Sequence, residues 1–348
     1  MSKFNSVPTN KLSRIGEIVE LEEVDILMAT YNTKIEYLKK QIESILNQTY
    51  KEINLLISDD CSPNKKVEKI LEEYAKKDKR IQVYKTEHNL GYTKNFEYLL
   101  QKSTSDYICF SDHDDIWYPE KIEKSLEKLK KDEVDLVYCN CHQIDENDKI
   151  IEQDYFKYKN MPLINKHGKL AISRYAGIGC SQLFTKEVKE KALPFLESVM
   201  AHDWLIGFIA NEGKGISYLK EPLFGYRLHQ SNVFGGRSLN QNLYLWKEKN
   251  GNTFDSYLKY RKEKVIDNAY LNGAKMCLEY SKKIGDTKNE KWIESLIKYY
   301  NMIEKSRYIN FHFISFFRFL YGKNLTKKMI KEFVIFHFPI IGYIRFKK

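Results

Sequence analysis

Two hydrophobic periodicities alternate along the chain from Val24 to Cys139. Short apolar runs that are typical of buried strands are each followed by a longer segment with apolar residues at helical spacing. The predicted strands are Val24–Ala29, Ile53–Ser58, Ile81–Tyr84, Tyr107–Phe110 and Leu136–Cys139, and the predicted helices are Lys34–Asn47, Lys65–Lys76, Tyr92–Lys102 and Glu120–Lys131. Strand starts recur roughly every 25 to 30 residues, the length of one βα unit. The pattern predicts an α/β fold with a mostly parallel sheet that helices cover on both faces.

Polar residues follow each of the first four predicted strands. Thr30, Tyr31 and Asn32 come after the first strand, and Asp59 and Asp60 come after the second. Because the carboxyl ends of parallel strands meet at one edge of a sheet, we expect these side chains to lie together, where open α/β sheets bind nucleotides. No Gly-x-Gly-x-x-Gly follows the first strand, which disfavours a dinucleotide site.

The octapeptide Phe110–Trp117 carries three carboxylates, Asp112, Asp114 and Asp115, directly after the fourth predicted strand. Carboxylates this close repel one another unless a cation lies between them, and hard divalent cations prefer carboxylate oxygens. The octapeptide is therefore a candidate metal site. A solvated acidic turn is the alternative for any single Asp-x-Asp.

Composition places the chain among globular proteins. It has 348 residues, of which 43% are apolar and 30% charged, and its formal net charge is +10. The positive charge favours an anionic partner, which could be nucleic acid, anionic lipid or a phosphorylated substrate. The six cysteines are scattered, so we expect buried free thiols in a reducing compartment. Residues 1–20 are polar and are expected to form a loose leader, without the apolar core of a signal peptide.

Six motifs in order over residues 24–232 resemble family 2 glycosyltransferases of the GT-A fold. They are Met28-Ala29-Thr30-Tyr31-Asn32, Ile57-Ser58-Asp59-Asp60-Cys61-Ser62, Asn89-Leu90-Gly91-Tyr92-Thr93-Lys94-Asn95, Ser111-Asp112-His113-Asp114-Asp115-Ile116-Trp117, His202-Asp203-Trp204 and Tyr226-Arg227-Leu228-His229. The sequence departs from the usual pattern at His113, where Gln, Ser or Ala is more common, and at Cys61, which replaces Gly.

The resemblance implies a Rossmann-like catalytic domain over residues 21–239, with a nucleotide-binding half (21–117) and an acceptor half (118–239). It implies inverting, metal-dependent transfer of a sugar from a nucleotide donor to a lipid-linked or growing polysaccharide. Within the family the pattern is most similar to bacterial rhamnosyltransferases, which favours dTDP-rhamnose as the donor. A UDP-hexose or UDP-N-acetylhexosamine is the alternative.

The resemblance assigns the metal site to Mn²⁺ or Mg²⁺. Asp114 is the expected ligand, Asp112 faces the metal or the ribose, and His229 completes the site. An imidazole ligand favours Mn²⁺ over Mg²⁺. Without the resemblance, a single histidine such as His229 is more typical of a polar surface.

The same resemblance implies a donor-binding set around this edge of the sheet. The set is Thr30, Tyr31, Asn32, Asp59, Asp60, Lys94, Asn95, Asp112, His113, Asp115 and Arg227. Thr30 and Asp59 are best placed for the nucleotide base, because an Asp can accept from the ring N3–H of uracil or thymine. Asp60 is expected to share that contact.

Four members of the set are assigned elsewhere. Lys94 and Asn95 match the position of a basic residue near the diphosphate, although Lys94 is also typical of an exposed helix start. Asp115 is expected to orient the loop or the donor sugar. Arg227 is equally compatible with a phosphate contact and with a salt bridge.

Asp203 is the candidate general base. It precedes Trp204 and the apolar run Leu205–Ala210, so it is expected at the N-terminus of a helix beside an aromatic wall. A plain N-cap is the alternative. The nearby segment Gly177–Ser181 is predicted either to line the acceptor site or to form a simple turn.

The alternation stops at residue 240, and residues 240–348 are predicted to form a helical, basic and aromatic extension. Its helical patterns are Asn240–Lys282 and Lys288–Tyr308, and its aromatic runs are Tyr308–Tyr321 and Phe333–Phe346. Each run has 14 residues, fewer than the roughly 20 that span a bilayer. With flanking lysines, they are expected to hold the protein peripherally on the inner face of the cell membrane. The alternative is packing onto the catalytic domain or, in a homo-oligomer, onto a second copy.

Two other function classes fit parts of the sequence. A nucleotidyltransferase also uses paired Asp residues and Mg²⁺, but it normally has a Gly-rich, basic loop after the first strand, and Ala29–Asn32 is not such a loop. A nucleic-acid-binding module would suit the net charge and the 25 tyrosines. The charge is spread along helices and no known binding motif occurs, so nucleic acid is not an expected partner.

Overall fold

Strands and helices alternate as predicted in the computed structural model, which describes residues 13–14, 17–18, 22–159, 161, 163–167, 177–229, 246–251, 253–260, 263 and 271–305. Its strands are β1 (Ser13–Arg14), β2 (Glu17–Ile18), β3 (Val24–Thr30), β4 (Ile53–Asp59), β5 (Ile81–Lys85), β6 (Tyr107–Ser111), β7 (Ile116–Trp117), β8 (Leu136–Ile144), β9 (Ile150–Glu152), β10 (Gln182–Thr185) and β11 (Ile216–Arg227). Its helices are α1 (Ile35–Leu46), α2 (Lys65–Lys77), α3 (Tyr92–Lys102), α4 (Lys121–Asp132), α5 (Tyr155–Lys159), α6 (Lys186–Ala192), α7 (His202–Glu212), α8 (Phe254–Tyr260), α9 (Asn272–Ile284) and α10 (Thr287–Lys305).

The main sheet has the strand order β5-β4-β3-β6-β10-β8-β11-β7, with β9 paired to β8. The first four strands are mutually parallel, as the sequence predicts. The second half is mixed, because β10 runs antiparallel between β6 and β8, and β7 runs antiparallel to β11. The parallel half brings the carboxyl ends of β3, β4, β5 and β6 to one edge.

The inner strands of the parallel half, β3, β4 and β6, are largely buried on both faces, whereas the edge strand β5 is partly exposed. Ile26, Leu27 and Met28 are consecutive residues of β3, and all three are fully buried. Helix α1 covers the sheet with Leu38, Ile42 and others at helical spacing. Gly91 stands immediately before α3 at φ 78°, a left-handed value that favours glycine, so the sequence sets the start of this helix.

Strand β8 runs further than predicted, to Ile144 rather than Cys139. The added residues include Asn140 and Gln143, which are polar but buried, so the apolar pattern stops before the strand does. The Asn140 side chain donates to the Asp154 carboxylate and to the Lys220 carbonyl. Such long-range hydrogen bonds explain why a polar residue is tolerated there.

The C-terminal region is helical where it is described. Helices α9 and α10 overlap the predicted helical patterns, although α9 ends two residues later, at Ile284, and α10 begins one residue earlier, at Thr287; they pack against each other, and α9 packs against α7. Across the described residues, we find no helix with the length and apolarity required to cross a membrane. Both aromatic runs, Tyr308–Tyr321 and Phe333–Phe346, lie outside the described residues. Of the polar leader, only the antiparallel pair β1–β2 is described.

Candidate functional site

The acidic loop between β6 and β7 is held from both sides. Ser111 ends β6, and its hydroxyl accepts from the Gln41 side chain of α1 at 2.8 Å. His113 Nδ1 lies 3.1 Å from the Ala29 carbonyl oxygen at the end of β3, within hydrogen-bond distance. The loop residue that departs from the family pattern therefore ties the acidic loop to the neighbouring strand.

Asp114 and His229 meet at this loop. Nε2 of His229 lies 2.7 Å from Oδ2 of Asp114, and both side chains are about nine-tenths buried. The His229 ring also stacks on Tyr37 of α1, with 5.8 Å between the ring centroids. Burial alone would raise the pKa of Asp114, but the nearby His113, His229 and Arg227 outweigh it and hold this pKa below its usual value.

The pKa of Asp112 is shifted in the opposite direction to that of Asp114. Burial and then the charge of Asp114 raise the pKa of Asp112 to about 6. One ligand atom from each of Asp112, Asp115 and Cys180 lies within 4.8 Å of the other two, so the Cys180 thiol is close to both carboxyl groups. Sequence reasoning did not single out Cys180, because nothing in its local sequence places it beside an acidic loop.

Asp114 and His229 offer an oxygen and a nitrogen of the kinds that bind a divalent cation, whereas the three-residue cluster of possible ligand atoms among the described residues is Asp112, Asp115 and Cys180. A cation would relieve the repulsion between the Asp112 and Asp114 charges. Carboxylate oxygens suit both Mg²⁺ and Mn²⁺, and the imidazole nitrogen of His229 adds a ligand that favours Mn²⁺.

Asp115 and Arg227 brace the loop from inside the protein. The Asp115 carboxylate is fully buried and accepts from the Arg227 backbone N–H at 3.0 Å. Burial and the charges of Asp114 and Asp112 raise its pKa well above the usual value. The Arg227 side chain is also fully buried, and its Nε donates to the Asp114 carbonyl at 2.7 Å. These contacts fix the backbone on which the Asp114 carboxylate is carried.

The Arg227 guanidinium pairs with a turn in the second half of the sheet. It lies 2.6 Å from Oδ1 of Asp148 and donates to the Asp145 carbonyl at 2.9 Å, and its centre is 4.3 Å from the Tyr37 ring. Lys40 of α1 forms a second salt bridge with Asp148. Of the two predicted roles of Arg227, the structure contains the salt bridge.

Asp59, the last residue of β4, and Asp60, which follows it, have different surroundings. Asp60 accepts from the backbone N–H groups of Leu90 and Gly91 and from the Thr86 hydroxyl, at 2.8 to 3.1 Å. Asp59 accepts from the hydroxyl and backbone N–H of Ser62, within its own turn. Asp60 therefore holds the loop before α3. The Asp59 carboxylate bonds only to Ser62 of its own turn among the described residues.

Thr30, the last residue of β3, and the two residues after it lie at the neighbouring part of the edge. Thr30 is buried, and its hydroxyl has no hydrogen-bond partner among the described residues. Tyr31 is 48% exposed. Asn32 is exposed with φ 47°, and its backbone N–H donates to the Ser62 hydroxyl at 2.8 Å. A buried polar atom beside an exposed aromatic ring is suited to contact a ligand.

Helix α3 places Lys94 and Asn95 differently. The Lys94 ammonium lies 2.7 Å from Glu97 on the same helix, and its side chain is 52% exposed. Asn95 is buried and donates to the Ser58 carbonyl of β4 at 3.2 Å. The structure thus places the Lys94 side chain at the exposed rim of the candidate site and packs the Asn95 side chain against β4.

Asp203 lies in the first turn of α7, as predicted. Its Oδ2 accepts from the Gly179 N–H at 3.1 Å, and its Oδ1 accepts from the Trp204 N–H at 2.9 Å. Burial, with a smaller contribution from the Asp112 charge, raises the pKa of Asp203 to about 7. A carboxyl with this pKa can exchange a proton near neutral pH. The Gly177–Ser181 segment forms a turn whose backbone holds this carboxylate.

His202 anchors the same turn in the core. Its ring stacks on Phe96 at 4.1 Å between centroids and meets the edge of Phe110 at 4.6 Å. Burial lowers the pKa of His202 to about 3, so the ring is neutral. Phe110 is the second-last residue of β6, which directly precedes the acidic loop. These contacts therefore pack the start of α7 against the strand that carries that loop.

The chain resembles known glycosyltransferases in sequence. The profile described as "Glycosyl transferase family 2" matches residues 25–191. A protein of Methanocaldococcus jannaschii named as an uncharacterized glycosyltransferase is 32% identical over 230 residues, which cover 64% of this chain and 77% of that protein. The dTDP-rhamnosyl transferase RfbG of Shigella flexneri is 28% identical over 224 residues, covering 60% of this chain and 73% of RfbG.

One of the solved structures similar to this chain is that of S. aureus TarS 1-349 in complex with UDP-GlcNAc. It covers 74% of this chain and 71% of its own length, with a TM-score of 0.49 and 15% sequence identity.

Proposed function

We propose that this chain, which belongs to glycosyl transferase family 2, is an inverting enzyme with Asp203 as its general base. The α/β sheet flanked by helices agrees with the GT-A fold expected for that family. The observation that carries the proposal is one constellation. Asp114 and His229 form a pair suited to a cation, and the half-buried carboxylate of Asp203 interacts electrostatically with that of Asp112.

Direct displacement explains what each group does. The ionised Asp203 carboxylate accepts the proton of the acceptor hydroxyl as that oxygen attacks the anomeric carbon of the donor sugar. The bond from this carbon to the diphosphate oxygen breaks on the opposite face, so the configuration inverts and a nucleoside diphosphate leaves. A divalent cation held by Asp114, His229 and Asp112 would supply neutralising charge for the leaving diphosphate.

The surrounding residues position the reactants. Gly179 and Trp204 hold both oxygens of Asp203, which fixes the direction in which the base accepts a proton. Asp115 and Arg227 fix the loop that carries Asp114. Lys94, at the rim, is the described basic side chain that we assign to the diphosphate.

A pyrimidine donor suits the nucleotide side of the edge. We assign Asp59 and the Thr30 hydroxyl to the base, with Tyr31 and Asn32 beside them, because an Asp can accept from the N3–H of uracil or thymine. The likeness to RfbG, a dTDP-rhamnosyl transferase, supports dTDP-rhamnose. The 6-methyl group of that sugar would require an apolar wall.

The acceptor is proposed to be a lipid-linked or growing polysaccharide met at the inner face of the cell membrane. Residues 308–348 support this proposal by composition, because two aromatic runs adjoin lysines and arginines. Flotation with anionic liposomes tests it by comparing the full chain with a chain that ends at Lys305. Flotation of the full chain alone, weakening in salt, supports the anchor. Equal flotation of both, or of neither, contradicts it.

A donor panel tests the reaction itself. The purified chain is incubated with Mn²⁺ and UDP-, dTDP- or GDP-linked sugars, and released nucleoside diphosphate is measured. We expect release from a pyrimidine nucleotide sugar, with dTDP-rhamnose fastest. Preference for a UDP-hexose or UDP-N-acetylhexosamine would replace rhamnose as the proposed sugar. Equal turnover of UDP-glucose and dTDP-rhamnose would refute a donor pocket that selects one sugar. No release from any donor would contradict the transferase assignment.

A further inference from the structure

The C-terminal helix α9 makes its closest approach to the helix that carries Asp203 at Gly273. A Cβ atom placed on Gly273 would lie 1.9 Å from Cη2 of Trp204 and 2.3 Å from both Cζ2 and Cζ3. These distances are far below any non-bonded contact, so the indole occupies the space that a side chain at position 273 would need. Gly273 does not have a left-handed φ, so packing and not backbone conformation is the reason for glycine.

The contact continues along both helices in the same order. Phe208 of α7 meets the edge of Tyr280 of α9, with 5.9 Å between centroids. Glu212, the last residue of α7, accepts a hydrogen bond from Asn289 at the start of α10. Together with the Trp204 contact, these pairs fix both ends of α7 against the C-terminal helices.

Trp204 transmits this packing to the carboxylate beside it. Its indole is buried against Gly273, while its backbone N–H donates to Oδ1 of Asp203. A shift of the indole therefore moves the peptide that holds the base. It would also lengthen the hydrogen bond from Gly179 to the other oxygen, because that donor belongs to a different segment.

We propose that Gly273 is a positioning residue for Asp203, which acts by letting the Trp204 indole seat against the backbone of α9. The inference rests on the proposed function of Asp203 as the base. It makes the C-terminal helices part of the catalytic geometry, since an error of about 1 Å in the position of a reacting group can reduce a rate about 100-fold.

Two single variants disturb the contact in opposite ways. Gly273→Ala adds a methyl group where the indole lies, and Trp204→Phe removes the three ring atoms that this methyl would meet. We expect Gly273→Ala to lower kcat at least about tenfold and Trp204→Phe to lower it several-fold, both with unchanged donor KM. In the double variant the methyl fills part of the vacated space, so its kcat should equal or exceed that of Trp204→Phe. Lys275→Ala, exposed on the same helix, should leave kcat unchanged.

The measurements are kcat and KM for the best nucleotide sugar of the panel, with thermal melting to confirm that each variant is folded at the assay temperature. In an Asp203→Asn background, Gly273→Ala should lower kcat no further, because the base is already lost. Folded single variants with wild-type kcat, or a double variant that shows the product of both losses, would overturn the inference. If Gly273→Ala does not fold, Trp204→Phe decides alone by its kcat. If Asp203→Asn keeps wild-type kcat, the base assignment fails, and the positioning role fails with it.

Discussion

Nε2 of His229 lies 2.7 Å from Oδ2 of Asp114, although 115 residues separate them in the sequence. The two meet because β6 and β11 both end at the same edge of the sheet. Asp114 follows β6, and His229 follows the end of β11 by two residues. At this distance the imidazole and the carboxylate bind each other, and because both offer atoms that ligate Mn²⁺, we assign a cation to them.

The first prediction concerns that cation. Removal of divalent ions with EDTA should abolish nucleoside diphosphate release, and Mn²⁺ should restore it. Asp114→Ala should be inactive, and His229→Ala should weaken Mn²⁺ activation at least about tenfold, the lower end of what even an outer-sphere partner contributes. Mn²⁺ titrations of the rate measure both effects. Asp106→Asn, a change to an exposed carboxylate at the opposite end of β6, is the matched control. Full activity after exhaustive EDTA treatment would exclude a required cation.

The second prediction concerns Arg227. Its replacement by Met removes a buried guanidinium and leaves Asp148 and two carbonyl groups without that partner. Arg227 is fully buried while Asp148 is 33% exposed, so the main cost is the buried acceptors left without a donor, and the free energy of unfolding should fall by about 1–3 kcal/mol. Urea unfolding measures it. Lys65→Ala, which breaks the exposed pair with Glu68, should change stability by less than about 0.5 kcal/mol. Equal effects from the two substitutions would show that burial of Arg227 adds nothing.

The third prediction is a pH profile. Because the pKa of Asp203 is about 7 and the base must be ionised, kcat/KM should rise with pH and level off above pH 7. Asp203→Asn should remove this rise from its residual activity. A profile that is flat between pH 5 and 8 would exclude a base with this pKa.

The same shift has a consequence for stability, with the opposite dependence on pH. The folded-state pKa of Asp203 is raised, so its protonated form favours the fold below the usual pKa of 3.8, and that contribution is lost as pH rises through about 7. Asp203→Asn should therefore gain stability relative to the wild type between pH 4 and pH 8. Urea unfolding at the two pH values checks the direction.

Local patterns were sufficient for the parallel half of the fold. Helix α3 begins at Tyr92 and ends at Lys102 as predicted, because Gly91 fixes its start and an apolar face defines its length. The acidic loop after β6 was also predictable, since both the apolar strand and its carboxylates are contiguous.

The features that the sequence did not predict depend on contacts between residues far apart in the chain. Strand β10 inserts antiparallel between β6 and β8, a pairing that no local periodicity specifies. The environment of Arg227 depends on Asp148, which lies in a distant turn. Asp59 and Asp60 are adjacent and identical in type, yet only Asp60 is bound by the backbone of the loop before α3.

We propose that Asp203 acts on the acceptor and does not hold the donor. The most direct measurement compares Asp203→Asn with the wild type in two assays, kcat with the best nucleotide sugar and calorimetric binding of the corresponding nucleoside diphosphate with Mn²⁺. Loss of a general base typically lowers kcat about 100-fold or more, so we predict a fall of at least that size with unchanged nucleotide affinity. Loss of nucleotide binding, or a kcat close to that of the wild type, would contradict the claim.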